Sequence, residues 1–231
     1  MKVGIFVVSY NAVNHLISTL KRIPIEVEEI FVFDDSSDDN SYYAALGYKH
    51  EHNIHNLVVT RNEKNLGYGG NQKIGYQYAI QRGFDVVVLL HGDGQYAPEV
   101  LPQMLKPFED KNTAFVLGSR MFGGALKGGM PMYKFVGNKI LTFIQNFLTG
   151  LGLSEYHSGY RAYRVEALKN IPFTKFTDSW HFDTQMILEF WKQGLKIVEV
   201  PIPTYYGDEI SRVNGIPYAI NCILETFKAR R

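Results

Sequence analysis

Three side chains able to meet a cation or a phosphate fall within five residues at His91-Gly92-Asp93-Gly94-Gln95. Asp93 and Gln95 stand two residues apart and both offer oxygen, the ligand type needed by a hard divalent cation that bridges a pyrophosphate. The stretch follows Val86-Val87-Val88-Leu89-Leu90. A run that short and wholly apolar reads as a parallel strand buried on both faces. An acid just past the carboxyl end of such a strand sits where open α/β sheets bind ligands. Taken alone, the segment also fits a polar strand-to-helix turn in which Asp93 only caps the helix that Pro98 opens. His91 likewise has two readings. A neutral imidazole ligates Mn²⁺ or hydrogen-bonds a phosphate, and a histidine at a strand end is often a satisfied polar residue.

Two further strand ends carry polar groups. Ser9-Tyr10-Asn11 closes an apolar strand over residues 3–9. Tyr10 there either stacks on a base or covers the sheet edge. Ile30-Phe31-Val32-Phe33 ends at Asp34-Asp35. Acids after the second strand of a nucleotide fold accept hydrogen bonds from ribose hydroxyls or a base N–H, and two adjacent carboxylates repel unless something uses them. Capping by Ser36, Ser37 or Asp38 is the competing use of this turn. The glycines of Gly67-Tyr68-Gly69-Gly70 suggest a phosphate cradle, but the run lacks the Lys-Ser/Thr of a P-loop and follows the third strand. Close helix packing accounts for them more simply.

The elements that must position these groups alternate. Strands are predicted at residues 3–9, 30–33, 57–60, 86–90 and 114–118. Helices are predicted after the first strand, through Val13, Leu16, Ile17 and Leu20, over about 71–82, and after Pro98. This rhythm implies an α/β fold with a mostly parallel central sheet and helices on both faces. The glycines at 123, 124, 128 and 129 predict a mobile loop over 122–130. One domain is expected over 1–231, with a nucleotide-binding half to residue 120 and an acceptor-side half from 121.

Charge and composition narrow the class. Lys plus Arg number 24 against 23 Asp plus Glu in 231 residues. That near-neutral balance argues against nucleic acid as a partner. The one cysteine, Cys222, excludes an internal disulfide and fits a reducing compartment. Met1-Lys2 runs straight into the first strand, which does not read as a signal peptide, and no apolar stretch approaches a membrane span. The abrupt end at Ala229-Arg230-Arg231 is compatible with one domain of a longer polypeptide.

Val8-Ser9-Tyr10-Asn11, Val32-Phe33-Asp34-Asp35-Ser36-Ser37-Asp38, Arg61-Asn62 with Asn65-Leu66-Gly67, and the Asp93 loop together resemble the inverting family 2 glycosyltransferases of the GT-A fold, a Rossmann-like α/β architecture. Gly118-Ser119-Arg120, Ser158-Gly159-Tyr160-Arg161-Ala162 and Val198-Glu199-Val200-Pro201-Ile202 narrow the resemblance to the branch of dolichyl- and polyprenyl-phosphate sugar synthases. The resemblance implies that Val8, Tyr10, Asn11, Asp34, Asp35 and Gly67 bind the nucleotide sugar. It implies that Asp93 and Gln95 hold Mg²⁺ or Mn²⁺, with Asp93 catalytic. Arg120, Arg161 and Arg212 would meet donor or acceptor phosphates, and Asp183 would be an acid near the acceptor. Two positions depart from the family pattern: His91 stands where an acid is usual, and Ala12 where Glu often follows Tyr-Asn.

The activity implied is transfer of a sugar from a UDP- or GDP-linked donor, with inversion, to a polyprenyl phosphate or a cell-envelope glycan. A divalent ion and arginine clamps would stabilise the leaving diphosphate. A lipid phosphate needs no strong base, whereas an alcohol acceptor would require one, with Asp183 the candidate. A non-catalytic nucleotide-sugar or lipid-phosphate binding module is the alternative that His91 suggests. A nucleotide-dependent oxidoreductase fails for want of a glycine motif after the first strand. Apolar stripes over 135–148 and 216–227, flanked by Lys134, Lys139, Lys228, Arg230 and Arg231, read either as core-facing helices or as interfacial ones on an anionic membrane. Lys127, Lys134, Arg161 and Arg212 would gather around an anionic acceptor or the pyrophosphate. The expected setting is the cytoplasm, with peripheral contact on the inner face of a membrane.

Overall fold

The computed structural model describes residues 1–24, 27–207 and 213–230. In the first half, β1 (Val3–Ser9) leads to α1 (Val13–Arg22), β2 (Glu29–Asp34) to α2 (Ser41–Glu51), and β3 (Leu57–Arg61) to α3 (Gly67–Arg82). β4 (Val86–His91), α4 (Leu101–Leu105) and β5 (Thr113–Ser119) follow. The second half holds α5 (Arg120–Gly123), α6 (Met132–Thr149), β6 (Arg161–Arg164), α7 (Val165–Leu168), α8 (Phe182–Lys192), β7 (Lys196–Pro201) and α9 (Gly215–Ala229).

Among the described residues the strands form one seven-stranded sheet in the order β3-β2-β1-β4-β6-β5-β7. β6 runs antiparallel to β4 and β5, and the remaining pairs are parallel. The predicted mostly parallel α/β sheet is the one the chain builds. The continuous apolar runs are explained by burial on both faces. Along β4, Val86, Val88 and Leu90 join a cluster with Leu16, Leu20 and Met104, while Val87 and Leu89 join another with Phe6, Phe31 and Tyr76. Each such side chain contributes about 1.5–3 kcal/mol on leaving water.

Three features of the chain escape the apolar pattern. β6 is the four-residue Arg-Ala-Tyr-Arg, so it has no apolar run to announce it. α3 begins at Gly67 rather than near 71, because its first turn lies against the 177–182 segment. A Cβ on Gly69 would come within 2.4 Å of the Thr177 carbonyl oxygen, and the Gly69 N–H donates to the Asp178 carbonyl at 2.8 Å. The glycines there serve close packing.

The third feature corrects the loop expected over 122–130. That segment is not loose. A Cβ on Gly123 would lie 1.7 Å from the Ile202 carbonyl oxygen, and one on Gly128 would lie 2.0 Å from that of Thr204. Ala125 and Met130 are buried, and the Tyr206 N–H donates to the Gly128 carbonyl. The glycines let two stretches of backbone touch, and their spacing in sequence cannot distinguish that from mobility.

Candidate active site

The carboxyl ends of β1, β2 and β4 open onto one cleft of about 1540 Å³, lined among others by Val8, Tyr10, Asn11, Asp35, Gly67, His91, Asp93 and Gln95. The register pairs Ser9 with Asp34 and Val8 with His91, which brings the three polar turns side by side. Parallel pairing aligns like ends of strands, so residues far apart in sequence meet along one edge.

The two adjacent acids after β2 separate. Asp35 reaches the cleft and accepts from the Leu66 N–H at 2.9 Å, the Gly67 N–H at 3.0 Å and the Asn62 side-chain amide at 2.8 Å. Burial pushes its carboxyl above the ordinary range despite these donors. Asp34 does not line the cleft. Its carboxylate accepts from the Ser37 N–H at 2.9 Å and the Ser37 hydroxyl at 2.5 Å, so it shapes the turn instead of meeting a ligand. Asn11 lines the cleft while its side-chain oxygen accepts from the Asp38 and Asp39 N–H groups, tying the first turn to the second.

Beyond β4, Asp93 keeps 43% of its side chain exposed. One oxygen accepts from the Gln95 N–H at 3.0 Å, and the other faces His91 Nδ1 at 3.8 Å. Burial alone would raise the Asp93 pKa, but His91, the Gln95 N–H and His15 outweigh it and hold the carboxyl below its ordinary value.

Asp183, in the first turn of α8, also lines the cleft, yet its carboxylate is occupied. It accepts from the Tyr68 hydroxyl at 2.8 Å and the Gln72 side-chain amide at 3.2 Å, and Arg161 stands 3.6 Å away. The same Tyr68 hydroxyl lies 3.0 Å from His91 Nε2, and the Tyr68 ring stacks on Trp180 at 4.7 Å.

The arginines correct the expectation that all three would present to phosphate. Arg161 is wholly buried and does not line the cleft. Its guanidinium donates to the carbonyls of Ser158 at 2.7 Å, Asp183 at 2.9 Å and Tyr156 at 2.8 Å. It braces the 156–161 turn against α8. Arg120 does line the cleft, with Nη2 2.7 Å from Glu155 and Nη1 donating to the Tyr206 hydroxyl at 2.9 Å. Arg212 lies outside the described residues. Of the basic residues expected around an acceptor phosphate, Lys134 and Arg120 line the cleft, whereas Lys127 is exposed elsewhere. Tyr68, Gln72, Glu155 and His157 were not singled out as site residues by sequence. Tyr68 sat inside a motif read for its glycines, and no spacing rule connects it to residues 91 and 183.

The lining also includes apolar side chains of two helices, Leu141 of α6 and Ile216, Ala219, Ile220 and Ile223 of α9. The two helices also present apolar residues outward: Ile140, Phe143 and Phe147 on α6, and Ile220, Leu224 and Phe227 on α9. Phe143 is 72% exposed and Phe147 77%. No helix among the described residues is long and apolar enough to cross a membrane.

The family model for glycosyl transferase family 2 matches residues 5–172. The chain belongs to that family. This glycosyltransferase is 30% identical to an undecaprenyl-phosphate mannosyltransferase of Micrococcus luteus, over 93% of this chain and 88% of that protein. It is equally similar to a UDP-N-acetylglucosamine–dolichyl-phosphate N-acetylglucosaminyltransferase of Methanococcus voltae, over 78% and 76%. Polyprenol monophosphomannose synthase of Mycolicibacterium smegmatis is 30% identical over 80% and 70%. Among solved structures, glucosyl-3-phosphoglycerate synthase of Mycobacterium tuberculosis superposes with a TM-score of 0.71, covering 99% of this chain and 80% of that one at 17% identity. At that identity the likeness establishes the GT-A fold. That enzyme has also been crystallised with UDP and Mn²⁺, and with UDP and Mg²⁺.

Proposed function

We propose that this family 2 glycosyltransferase moves a sugar from a nucleotide diphosphate donor onto a polyprenyl phosphate, with inversion, as a single domain. The observation that carries the reading is the composition of the cleft. Its lining combines polar groups at strand termini, Asp35 and Asp93 among them, with apolar side chains of α6 and α9, Leu141, Ile216, Ile220 and Ile223. A donor with a charged diphosphate suits the former and an isoprenoid tail the latter. The named relatives act on dolichyl, undecaprenyl or polyprenol phosphates, which supports the same assignment.

Asp183 supports it from the chemical side. Its carboxylate already accepts from Tyr68 and Gln72 beside the Arg161 guanidinium. Both carboxylate oxygens are thus engaged by protein donors, and neither is left open toward an acceptor. An acceptor that arrives as a phosphate anion has no proton to lose. Asp183 then positions the wall of the site, and the base expected for an alcohol acceptor is not required.

Val8, Tyr10, Asn11 and Asp35 would hold the nucleoside, with Gly67 kept in place by its N–H bond to Asp35. Arg120 and Lys134 would face phosphate oxygens. Asp93 and Gln95 fit a hard divalent cation, being oxygen donors on one loop that lines the cleft. When bound, Mg²⁺ or Mn²⁺ would neutralise the leaving diphosphate. The outward apolar residues of α6 and α9 would rest at the surface of an anionic membrane, presenting the cleft to lipid.

The test is transfer from UDP- and GDP-sugars with Mn²⁺ to a short-chain polyprenyl phosphate, run against a soluble alcohol acceptor, with and without anionic liposomes. A glycosyl phosphate of inverted anomeric configuration is expected. Replacing both Phe143 and Phe147 with Ser is expected to abolish co-sedimentation with the liposomes. Transfer to the alcohol alone would overturn the lipid assignment and return Asp183 to the role of base.

A further inference from the structure

His157 stands in the turn that leads into β6, and it lines the cleft. One of its ring nitrogens is accounted for: Nδ1 lies 2.8 Å from the Tyr218 hydroxyl of α9. The other, Nε2, is buried and has no hydrogen-bond partner among the described residues. Buried polar atoms are nearly always paired, and a bare one carries a free-energy penalty.

What Nε2 offers follows from the groups around the ring. Burial keeps the imidazole neutral by pressing its pKa down to about 3. A neutral imidazole carries its hydrogen on one nitrogen only. The Tyr218 hydroxyl has a single proton and two neighbours able to take it, Nδ1 and the Cys222 sulfur. Sulfur is the weaker acceptor, and it already accepts from the Thr184 hydroxyl at 3.2 Å. The Tyr218 proton therefore goes to Nδ1, and Nε2 carries the hydrogen of the ring. The side chain holds out an N–H donor that no acceptor meets.

The neighbourhood suits an anion with an apolar tail. Arg120 lines the same cleft and acts on the ring through its charge. It donates to the Tyr206 hydroxyl at 2.9 Å, and the Lys134 ammonium lies 5.6 Å from the centre of the Tyr206 ring, so one tyrosine gathers both cations. Glu155, two residues before His157, pairs with Arg120 and accepts from the Asn138 amide of α6. Leu141, one turn along α6 from Asn138, lines the cleft, as do Ala219 and Ile220 beside Tyr218 on α9. Donors for a phosphate and apolar surface for a hydrocarbon chain thus adjoin at His157.

We propose that His157 binds the acceptor: its Nε2–H donates to a phosphate oxygen of the lipid, beside Arg120 and Lys134, while Tyr218 fixes the ring through Nδ1. The proposal rests on the reading that the acceptor is a polyprenyl phosphate. A neutral donor suits an anion that must also attack. It orients one oxygen through a hydrogen bond and withdraws less charge from the nucleophile than a third cation would.

The experiment uses the whole protein labelled with ¹⁵N-histidine, the His157 signals being those lost in His157→Asn. In the free protein the ¹⁵N chemical shifts are expected to report a protonated Nε2 and an Nδ1 that accepts. A short-chain polyprenyl phosphate should move the Nε2 resonance, whereas UDP or GDP with Mn²⁺ should leave it in place. Inorganic phosphate separates a lipid headgroup from a free anion and should act only at far higher concentration. Transfer kinetics supply the second arm. His157→Asn keeps a partner for Tyr218 but loses the Nε2 donor, so its KM for the polyprenyl phosphate should rise about 10–100-fold, the loss of one hydrogen bond to a charged group. His157→Gln places an amide near the Nε2 position and should stay within a few-fold of the unaltered protein. KM for the nucleotide sugar should hold in both variants. The reverse order, with Gln impaired and Asn tolerated, would reduce His157 to a tie between its turn and α9 and overturn the proposal. So would a bare Nε2 in the free protein, or an Nε2 response to the nucleotide, or one to inorganic phosphate at the concentration where the lipid acts. Transfer to the polyprenyl phosphate with no Nε2 response would remove this proposal alone. Transfer to a soluble alcohol alone would remove the lipid reading together with it.

Discussion

Asp93 and Asp183 line the same cleft in contrasting circumstances. Asp93 stands on a turn after β4 with 43% of its side chain exposed, while Asp183 stands on α8 with 7% exposed. Asp93 accepts one backbone N–H, whereas Asp183 is met by a hydroxyl, an amide and a guanidinium. A carboxylate that retains open oxygen can take up a charge brought by a substrate. One whose oxygens are already engaged holds protein to protein. Residue type was the same in both cases, and the surroundings divided the roles.

The contrast is most exposed to test at Asp93. Asp93→Asn keeps the volume and removes the charge, so sugar transfer should fall by a factor on the order of a thousand. Thermal unfolding should shift little, because the side chain adds almost nothing to the core. Unchanged turnover at saturating donor would erase the distinction between the two acids.

Asp183→Ala should instead register as lost stability. It leaves the wholly buried Arg161 guanidinium without its carboxylate, a change that costs about 3–5 kcal/mol in comparable buried pairs. Urea unfolding measures this directly. A loss under about 1 kcal/mol would mean that the three carbonyls accepting from Arg161 suffice alone.

The enclosed side of the cleft should also show in the pH dependence of folding. His157 lines the cleft, and its Nδ1 lies 2.8 Å from the Tyr218 hydroxyl. Burial presses its pKa down to about 3, with Arg120 and Arg161 adding to the effect and Glu155 opposing it. The unfolded chain, with an ordinary histidine at 6.5, takes the proton first. Stability from this group is complete above pH 6.5 and is lost as the pH falls from 6.5 toward 3, at up to about 1.4 kcal/mol per unit. His157→Asn should flatten that limb in unfolding measured between pH 7 and about 4.

How far the sequence could be read follows the same division. Asp35 and Asp93 were legible because each ends a short apolar run, and parallel strands deliver their ends to one edge. Arg161 was misread because its type suggests phosphate, while the three carbonyls it serves come from residues that no spacing rule marks. The glycines of 122–130 were misread because glycine permits both motion and backbone contact. The stripe on α6 was visible in its period. Which side of it met protein was not, since periodicity describes one helix and burial depends on two. His157 gained meaning only when the fold brought Tyr218 beside it.

β6 is four residues long, yet it is the strand that joins β1–β4 to β5 and β7. In a growing chain, β4 and β5 are both made before it. Until Arg164 emerges, β4 keeps an open edge and β5 has no partner on either side. Open strand edges of this kind recruit other chains during synthesis. Synthesis of the stretch between β5 and β6 therefore prolongs the time that open edge is exposed, and a chain cut short of β6 would leave β5 with no strand to pair with.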